Sequence, residues 1–291
     1  MKKDVDITVI VPVYQHWDLA ICLFDGLGKQ SFPKDRWECI IVDNGSANLP
    51  DPSKLPDFVT LLHCEKPGSY AARNVGLKQA RGRLIAFTDA DCRPVNDWLA
   101  QLWDAYENGS GEGLIAGGVE VKKLDSGKPN SVELYDMAMG LPQARYVKRG
   151  YAVTANLAIP REAFTTVGQF DNARFSGGDA DFCRRACKKG IDLDYVPSAL
   201  VYHPARSEMT ELVTKLKRVK GGQICSGSFS RRLKFFVRTF VPPVWAFWFA
   251  VKKDGLSFYE KMVVCSVQSR LWIVEMCEVV RLVLGKQPER R

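Results

Sequence analysis

The sequence predicts an α/β fold, a Rossmann-like mixed sheet flanked by helices, followed by a C-terminal amphipathic helical tail. Three observations carry this. Strand-like and helix-like patterns alternate through the first half, as they do where helices cover the faces of a sheet. The first apolar run, residues 7–13, is β-branched and lacks polar alternation, which suits a strand buried on both faces. From about residue 227 the pattern changes to basic and aromatic blocks with helical periodicity.

In order, residues 7–13 read as a strand, 16–29 as a helix, 37–42 and 58–64 as strands and 69–80 as a helix. Residues 83–88 then read as a strand and 95–107 as a helix. After about Gly113 the alternation gives way to shorter strands over 114–121, 152–159 and 193–196, with helices near Arg161 and Asp179. The chain contains no internal repeat and no low-complexity tract. Its 291 residues, 46% hydrophobic and 25% charged, suffice for one large domain over 1–226 plus a tail over 227–291.

Nine cysteines without a CxxC pair fit a reducing compartment. Residues 1–6 are charged and lead into the first strand with no small-residue cleavage site, so the sequence predicts no secretory signal and a cytoplasmic location. Of the formal net charge of +8, a local +7 lies between Arg206 and Arg238, where nine basic residues face two acidic ones. A charge-free run over 239–251 follows, with Pro242, Pro243, Trp245, Phe247, Trp248 and Phe249. It is too short for a bilayer-crossing helix, which takes about 20 apolar residues. Farther on, Trp272, Ile273, Met276, Val279, Val280 and Val283 share one helical face, and Arg270, Glu275, Glu278 and Arg281 another. Such a helix alone could pack on the body. Basic block, aromatic run and amphipathic helix together predict association with an anionic membrane surface. Nucleic acid is disfavoured, because the aromatics are not interleaved with the basic residues as a stacking platform requires.

The chemistry concentrates at predicted strand ends. Thr88-Asp89-Ala90-Asp91 places two carboxylates at the carboxyl end of a strand, where open α/β sheets bind ligands. They could share Mg²⁺ or Mn²⁺ with a diphosphate, although a lone Asp-x-Asp is more often a solvated turn. The first strand ends Val11-Pro12-Val13-Tyr14 and the second Val42-Asp43-Asn44-Gly45-Ser46. A helix begins near Ala71-Ala72-Arg73-Asn74. Asp43 could accept hydrogen bonds from a base or ribose, or only cap a turn; Arg73 could contact phosphate, or lie idle at the surface. In Ser176-Gly177-Gly178-Asp179-Ala180-Asp181, the acidic residues open a helix, and one of them is expected to be a structural cap. His203 follows the last predicted strand and could complete a metal site.

Together these motifs, in order and spacing from about Ile7 to Arg206, resemble the inverting nucleotide-sugar transferases of glycosyltransferase family 2, which have a GT-A type fold. The resemblance implies that Pro12, Val13, Tyr14 and Asp43 line a nucleotide pocket with Arg73 near it, and that Asp89 touches the ribose side. It implies a metal on Asp91, with His203 a further metal or phosphate ligand, and Asp179 as catalytic base. One departure stands out: the family commonly has Glu-Asp where this chain has Gly178-Asp179. The Gln-x-x-Arg-Trp signature of processive synthases is also absent, which favours single additions. The expected reaction moves a sugar from a nucleoside diphosphate, UDP by the resemblance, to the hydroxyl of a glycan or lipid-linked acceptor on the inner membrane face. Rival readings are a polyprenyl-phosphate sugar synthase, a sugar-phosphate nucleotidyltransferase and a non-catalytic membrane-bound scaffold.

Overall fold

A computed structural model describes residues 5–109, 111–174 and 176–289. The charged lead at 1–4 and Phe175, beside the acidic motif, lie outside the described residues. The chain forms two compact units. The first comprises residues up to 120, 141–172 and 178–203, and the second comprises 121–140, 173–177 and 204 onward.

Among the described residues, eight strands form one sheet: β1 (Ile7–Val13), β2 (Trp37–Asp43), β3 (Val59–His63), β4 (Leu84–Thr88), β5 (Arg93–Pro94), β6 (Leu114–Lys122), β7 (Asn156–Pro160) and β8 (Leu193–Pro204), in the order β3-β2-β1-β4-β7-β6-β8-β5. Strands β3, β2, β1 and β4 are parallel, and β7 then runs antiparallel to both β4 and β6. The sheet is therefore mixed, as expected. The β-branched run of β1 is buried along nearly its whole length because strands flank it on both edges and side chains cover both faces.

The first unit carries helices α1 (Trp17–Gly28), α2 (Ser69–Gln79) and α3 (Trp98–Asn108). Trp17, Ala20, Leu23 and Leu27 turn one stripe of α1 into the core. Helix α4 (Ser131–Met139) belongs to the second unit, whereas α5 (Gln143–Val147), α6 (Arg161–Val167) and α7 (Gly178–Lys188) belong to the first. The second unit is completed by α8 (Met209–Ile224), α9 (Phe229–Phe240), α10 (Val244–Lys252) and α11 (Phe258–Val283).

Differences from the sequence reading have local causes. The strand expected over 152–159 starts only at Asn156, and β8 runs to Pro204 because it pairs with β5 in a register of Tyr202 with Arg93. Helix α4 escaped notice although Asn130 and Glu133 form a capping box at its start.

The tail combines packed and exposed apolar side chains. Helix α11 buries Val264, Val267, Leu271, Val279 and Leu282, and two of its clusters include Val132 and Leu212, or Leu134 and Ala138, of α4 and α8. Ile273, Val280 and Val283, expected on its apolar contact face, are exposed. Glu278, expected on the polar face, is buried and paired with Arg281 at 2.6 Å. The basic block is likewise not one solvated face. Arg206 and Lys215 pair with Asp136 at 3.0 and 3.8 Å, Lys217 pairs with Glu289, and Lys220 reaches Glu275 and the Thr239 hydroxyl. Burial, with Arg206 alongside, pulls the Lys215 pKa down to about 8.

Asn156 is fully buried where β7 meets its neighbours. Its Nδ2 donates to the carbonyls of Gly118 and Ala199, each at 2.7 Å, and its Oδ1 accepts from the Trp98 indole at 2.9 Å. In the sheet it sits opposite Thr88, the residue before Asp89. Asn156→Ala would strand three buried polar groups, each costing about 1–3 kcal/mol. The urea midpoint should therefore fall by the equivalent of about 3 kcal/mol or more with an unchanged m value.

Candidate active site

The carboxyl ends of β1, β2 and β4 and the start of α2 build one side of the site. Val13 and Asp43 are register partners, and the Asn44 amide donates to the Val13 carbonyl at 2.8 Å. Pro12 and Val13 thus form a covered floor, from which Tyr14 emerges half-exposed. The next residue, Gln15, holds a left-handed φ of 65°. Asp43 is buried: its Oδ2 accepts from the amides of Gly45 and Ser46 at 2.9 and 3.0 Å, and its Oδ1 from the Trp17 indole at 3.2 Å. Burial pushes this carboxyl up, but the hydrogen bonds from Ser46, Gly45 and Trp17 outweigh it and hold the group below its ordinary value. Asp43 therefore shapes the turn at the strand end, and any ligand donor there must share an oxygen already engaged.

Beyond Thr88 the chain turns so that Asp89, Asp91 and His203 offer ligand atoms all within 4.8 Å of one another. His203, buried near the end of β8, places Nε2 3.6 Å from Asp91 Oδ2. Asp91 Oδ1 is buried and has no hydrogen-bond partner among the described residues. A carboxylate oxygen sealed from water with nothing to accept from is costly unless something compensates it. Two carboxylates and an imidazole fit a divalent cation that keeps positions open for phosphate oxygens.

Arg73 is buried on α2, and its Nη2 lies 2.6 Å from Asp89 Oδ1. Its guanidinium sits 5.6 Å from the Tyr70 ring centre, and its Nε has no partner among the described residues. It is thus neither idle nor at the surface. It braces the Asp89 carboxylate while one buried N–H stays available to an anion.

Asp179 opens α7 directly after Gly177, whose φ of +73° favours glycine, and Gly178. The Tyr70 hydroxyl donates to Asp179 Oδ1 at 3.2 Å, and the Ala180 amide donates to the same oxygen at 2.8 Å. Burial pushes the Asp179 carboxyl above its usual range, against the opposing pull of the Ala180 amide, Arg73, the Thr154 backbone and Tyr70. Asp181 instead pairs with Arg185 at 3.0 Å, one turn along the same helix. Of the two acidic residues, Asp181 is tied into the helix face and Asp179 is held by the Tyr70 hydroxyl and the Ala180 amide. The metal-type cluster and Asp179 are linked through Arg73, which contacts Asp89 and acts electrostatically on Asp179.

Tyr70 and Trp17 did not stand out in the sequence. Tyr70 lies three residues before Arg73 and so shares its helix face, a spacing that could have marked it. The glycine in place of the family's Glu also has a physical reason. A Cβ on residue 178 would lie 2.8–2.9 Å from three atoms of the Tyr70 ring, so the ring takes that space.

A family model described as "Glycosyl transferase family 2" matches residues 8–168, and one described as "Glycosyl transferase family group 2" matches residues 132–280. The glycosyltransferase AglE of Haloferax volcanii is 33% identical over 225 residues, covering 75% of this chain and 73% of that protein. Among solved structures, Staphylococcus aureus TarS 1–349 in complex with UDP-GlcNAc aligns with a TM-score of 0.57 at 15% identity, covering 97% of this chain and 93% of that one. The mannosyltransferase PcManGT of Pyrobaculum calidifontis, in complex with GDP-Man and Mn²⁺, aligns with a TM-score of 0.57 at 21% identity, covering 97% and 87%. At these identities the structural likeness speaks to the fold, and the fold is of the GT-A type.

Proposed function

The chain belongs to glycosyltransferase family 2, and on that premise we propose that it transfers a sugar from a nucleoside diphosphate, UDP before GDP or dTDP, to an acceptor hydroxyl with inversion at the anomeric carbon. The observation that carries this reading is the joining, through Arg73, of a cation-type cluster to a separate, partly sheltered carboxylate. Pro12, Val13, Tyr14 and Asp43 receive the nucleoside, and Asp89 faces its ribose. Arg73 turns its unspent N–H to the diphosphate. Asp91 and His203 hold Mg²⁺ or Mn²⁺, which when bound supplies the positive charge that stabilises the leaving diphosphate.

Asp179 acts from the acceptor side. Its carboxylate takes the acceptor hydroxyl's proton as the oxygen forms its bond to the anomeric carbon. The bond from that carbon to the diphosphate oxygen breaks in the same displacement, and the nucleoside diphosphate departs with the electron pair. The raised affinity of Asp179 for a proton suits a base, because it binds the proton better than an ordinary aspartate. The acceptor is a glycan or lipid-linked sugar in polysaccharide or glycolipid assembly, met at the cytoplasmic face of a membrane by a peripheral enzyme. No helix among the described residues is long and apolar enough to cross a membrane.

A thermal-shift screen of UDP-, GDP- and dTDP-sugars with and without Mn²⁺ tests the donor side. A matching donor at 100 times its dissociation constant should stabilise the fold by about 2.7 kcal/mol, and only with the metal present. If no nucleotide sugar shifts the transition with Mn²⁺ supplied, the proposal is wrong.

A further inference from the structure

We infer that the lipid-facing surface is built on α9 and α10, whose exposed apolar and aromatic side chains seat on an anionic bilayer. The inference deepens the peripheral-membrane reading and is independent of the transfer chemistry. Leu233 and Val237 on α9 and Val241 at its C-terminal cap recur at four-residue spacing, and Val244, Trp245 and Trp248 stand on α10 after Pro242-Pro243. All six are exposed, Trp245 to 70% and Val244 to 65%. The two indoles lie 5.3 Å apart at 73°. In a monomer in water so many exposed large apolar side chains between Leu233 and Trp248 are unfavourable, which marks the segment as a contact surface.

The charge selects what covers it. Residues 229–253 contain six basic residues and no acidic one. Lys234 and Arg238, which directly follow Leu233 and Val237, have no ion-pair partner among the described residues, and neither do Lys252 and Lys253. A second copy would bring the same six positive charges against these, so self-association on this face is electrostatically opposed. Anionic headgroups complement them, and tryptophan settles at the interfacial depth. Helix α11 is engaged along one side: Val264, Val267, Leu271, Val279 and Leu282 are buried, and its Trp272 indole donates to the Thr239 carbonyl at 2.8 Å.

Point substitutions in the full chain test this, because deleting the tail would strip cover from Val132 and Leu212. The protein should sediment with vesicles of phosphatidylglycerol in phosphatidylcholine at low salt and not with phosphatidylcholine alone. Trp245→Ser with Trp248→Ser should weaken that binding at least about tenfold, and Lys234→Glu with Arg238→Glu should abolish its preference for anionic lipid. Donor-induced thermal shifts should be unchanged in all variants, so failure here is separable from failure of the transferase reading. Absence of vesicle binding, equal binding to neutral vesicles, or a dimer that dissociates on the Trp substitutions would overturn the inference.

A different observation carries a second inference. The geometry assigns Tyr70 as the positioning residue for Asp179. Its ring is nearly fully buried, pinned between the Gly178 backbone and the Arg73 guanidinium, with Phe170 5.9 Å away. Its hydroxyl therefore cannot swing away from Asp179 Oδ1, and the bond fixes one carboxylate rotamer. Burial pushes the phenol well above its ordinary value, so it stays a donor at every working pH. Tyr70→Phe should lower the rate of donor hydrolysis about tenfold without changing donor affinity. It should also move the acid limb of the rate profile to higher pH, because a hydrogen bond to the ionised carboxylate is lost. Gly178→Ala, which displaces the ring, should reproduce that phenotype, and the double variant should be no worse than the poorer single one. A Tyr70→Phe enzyme with an unchanged pH profile and rate would refute the assignment, whatever its melting temperature.

Discussion

Asp179→Asn is expected to lower kcat by about 10² to 10⁴, some 3–5 kcal/mol of barrier, with donor affinity unchanged and the fold no less stable. The first expectation follows from the role of base, which contacts the acceptor and not the nucleotide. The last follows from linkage. Burial raises the folded pKa of Asp179 above its unfolded value, so between the two the native state binds more protons than the unfolded one. Stability contributed by this group is then present at low pH and lost as pH rises through the folded pKa. Above the folded pKa the ionised carboxylate thus detracts from stability, and a neutral amide of the same shape should there raise Tm or leave it alone. By the same token, the acid limb of the wild-type rate profile should lie above the range of an ordinary aspartate. Asp181→Asn supplies the contrast. It removes a half-exposed intrahelical pair worth roughly 0.5 kcal/mol and should leave kcat near wild type. Single-turnover kinetics and thermal denaturation of both variants distinguish the roles. Near-normal turnover by Asp179→Asn would remove it as the base.

The second large effect is expected at Asp91. Asp91→Asn replaces an ionised oxygen ligand by an amide, while His203 and Asp89 remain. Disturbing even the outer partners of a metal site typically costs 10–100-fold in affinity, so loss of a direct ligand should cost at least that. Calorimetry should show Mn²⁺ binding to the wild type weakened by that factor in Asp91→Asn. UDP binding, strengthened by Mn²⁺ in the wild type, should become indifferent to it. The orphaned Asp91 Oδ1 adds a sign: the substitution removes no hydrogen bond at that oxygen, so the metal-free variant should be no less stable than the metal-free wild type. Unchanged metal dependence of UDP binding would relocate the cation.

The sequence disclosed the sheet well because its signals are local. Unbroken β-branched runs such as 7–13 have few alternatives to a buried strand, and glycine and acidic residues mark the turns that follow. It also gathered Asp89, Asp91 and His203 from positions more than a hundred residues apart, through the family resemblance and not through periodicity. What it hid depends on tertiary partners. Glu278 reads as solvent-facing until Arg281 folds over it, and Lys220 reads as surface charge until Thr239 and Glu275 close around it. A hydrophobic period along α11 could not say whether protein or lipid covers it. For Val264, Val267 and Leu271 the cover comes from α4 and α8, helices that local sequence signals do not reveal as its partners. Gly178 looked like a lost function, and the Tyr70 ring beside it explains why no side chain fits there.

The central claim, a single displacement assisted by Asp179, is tested most directly by the stereochemistry of the product. With the donor selected by thermal shift, the wild-type enzyme should be followed by proton NMR during transfer or early hydrolysis. The anomeric proton coupling of the first-formed product should report the configuration opposite to that of the donor sugar. A first-formed product that retains the donor configuration would require two displacements through another group and would contradict this account.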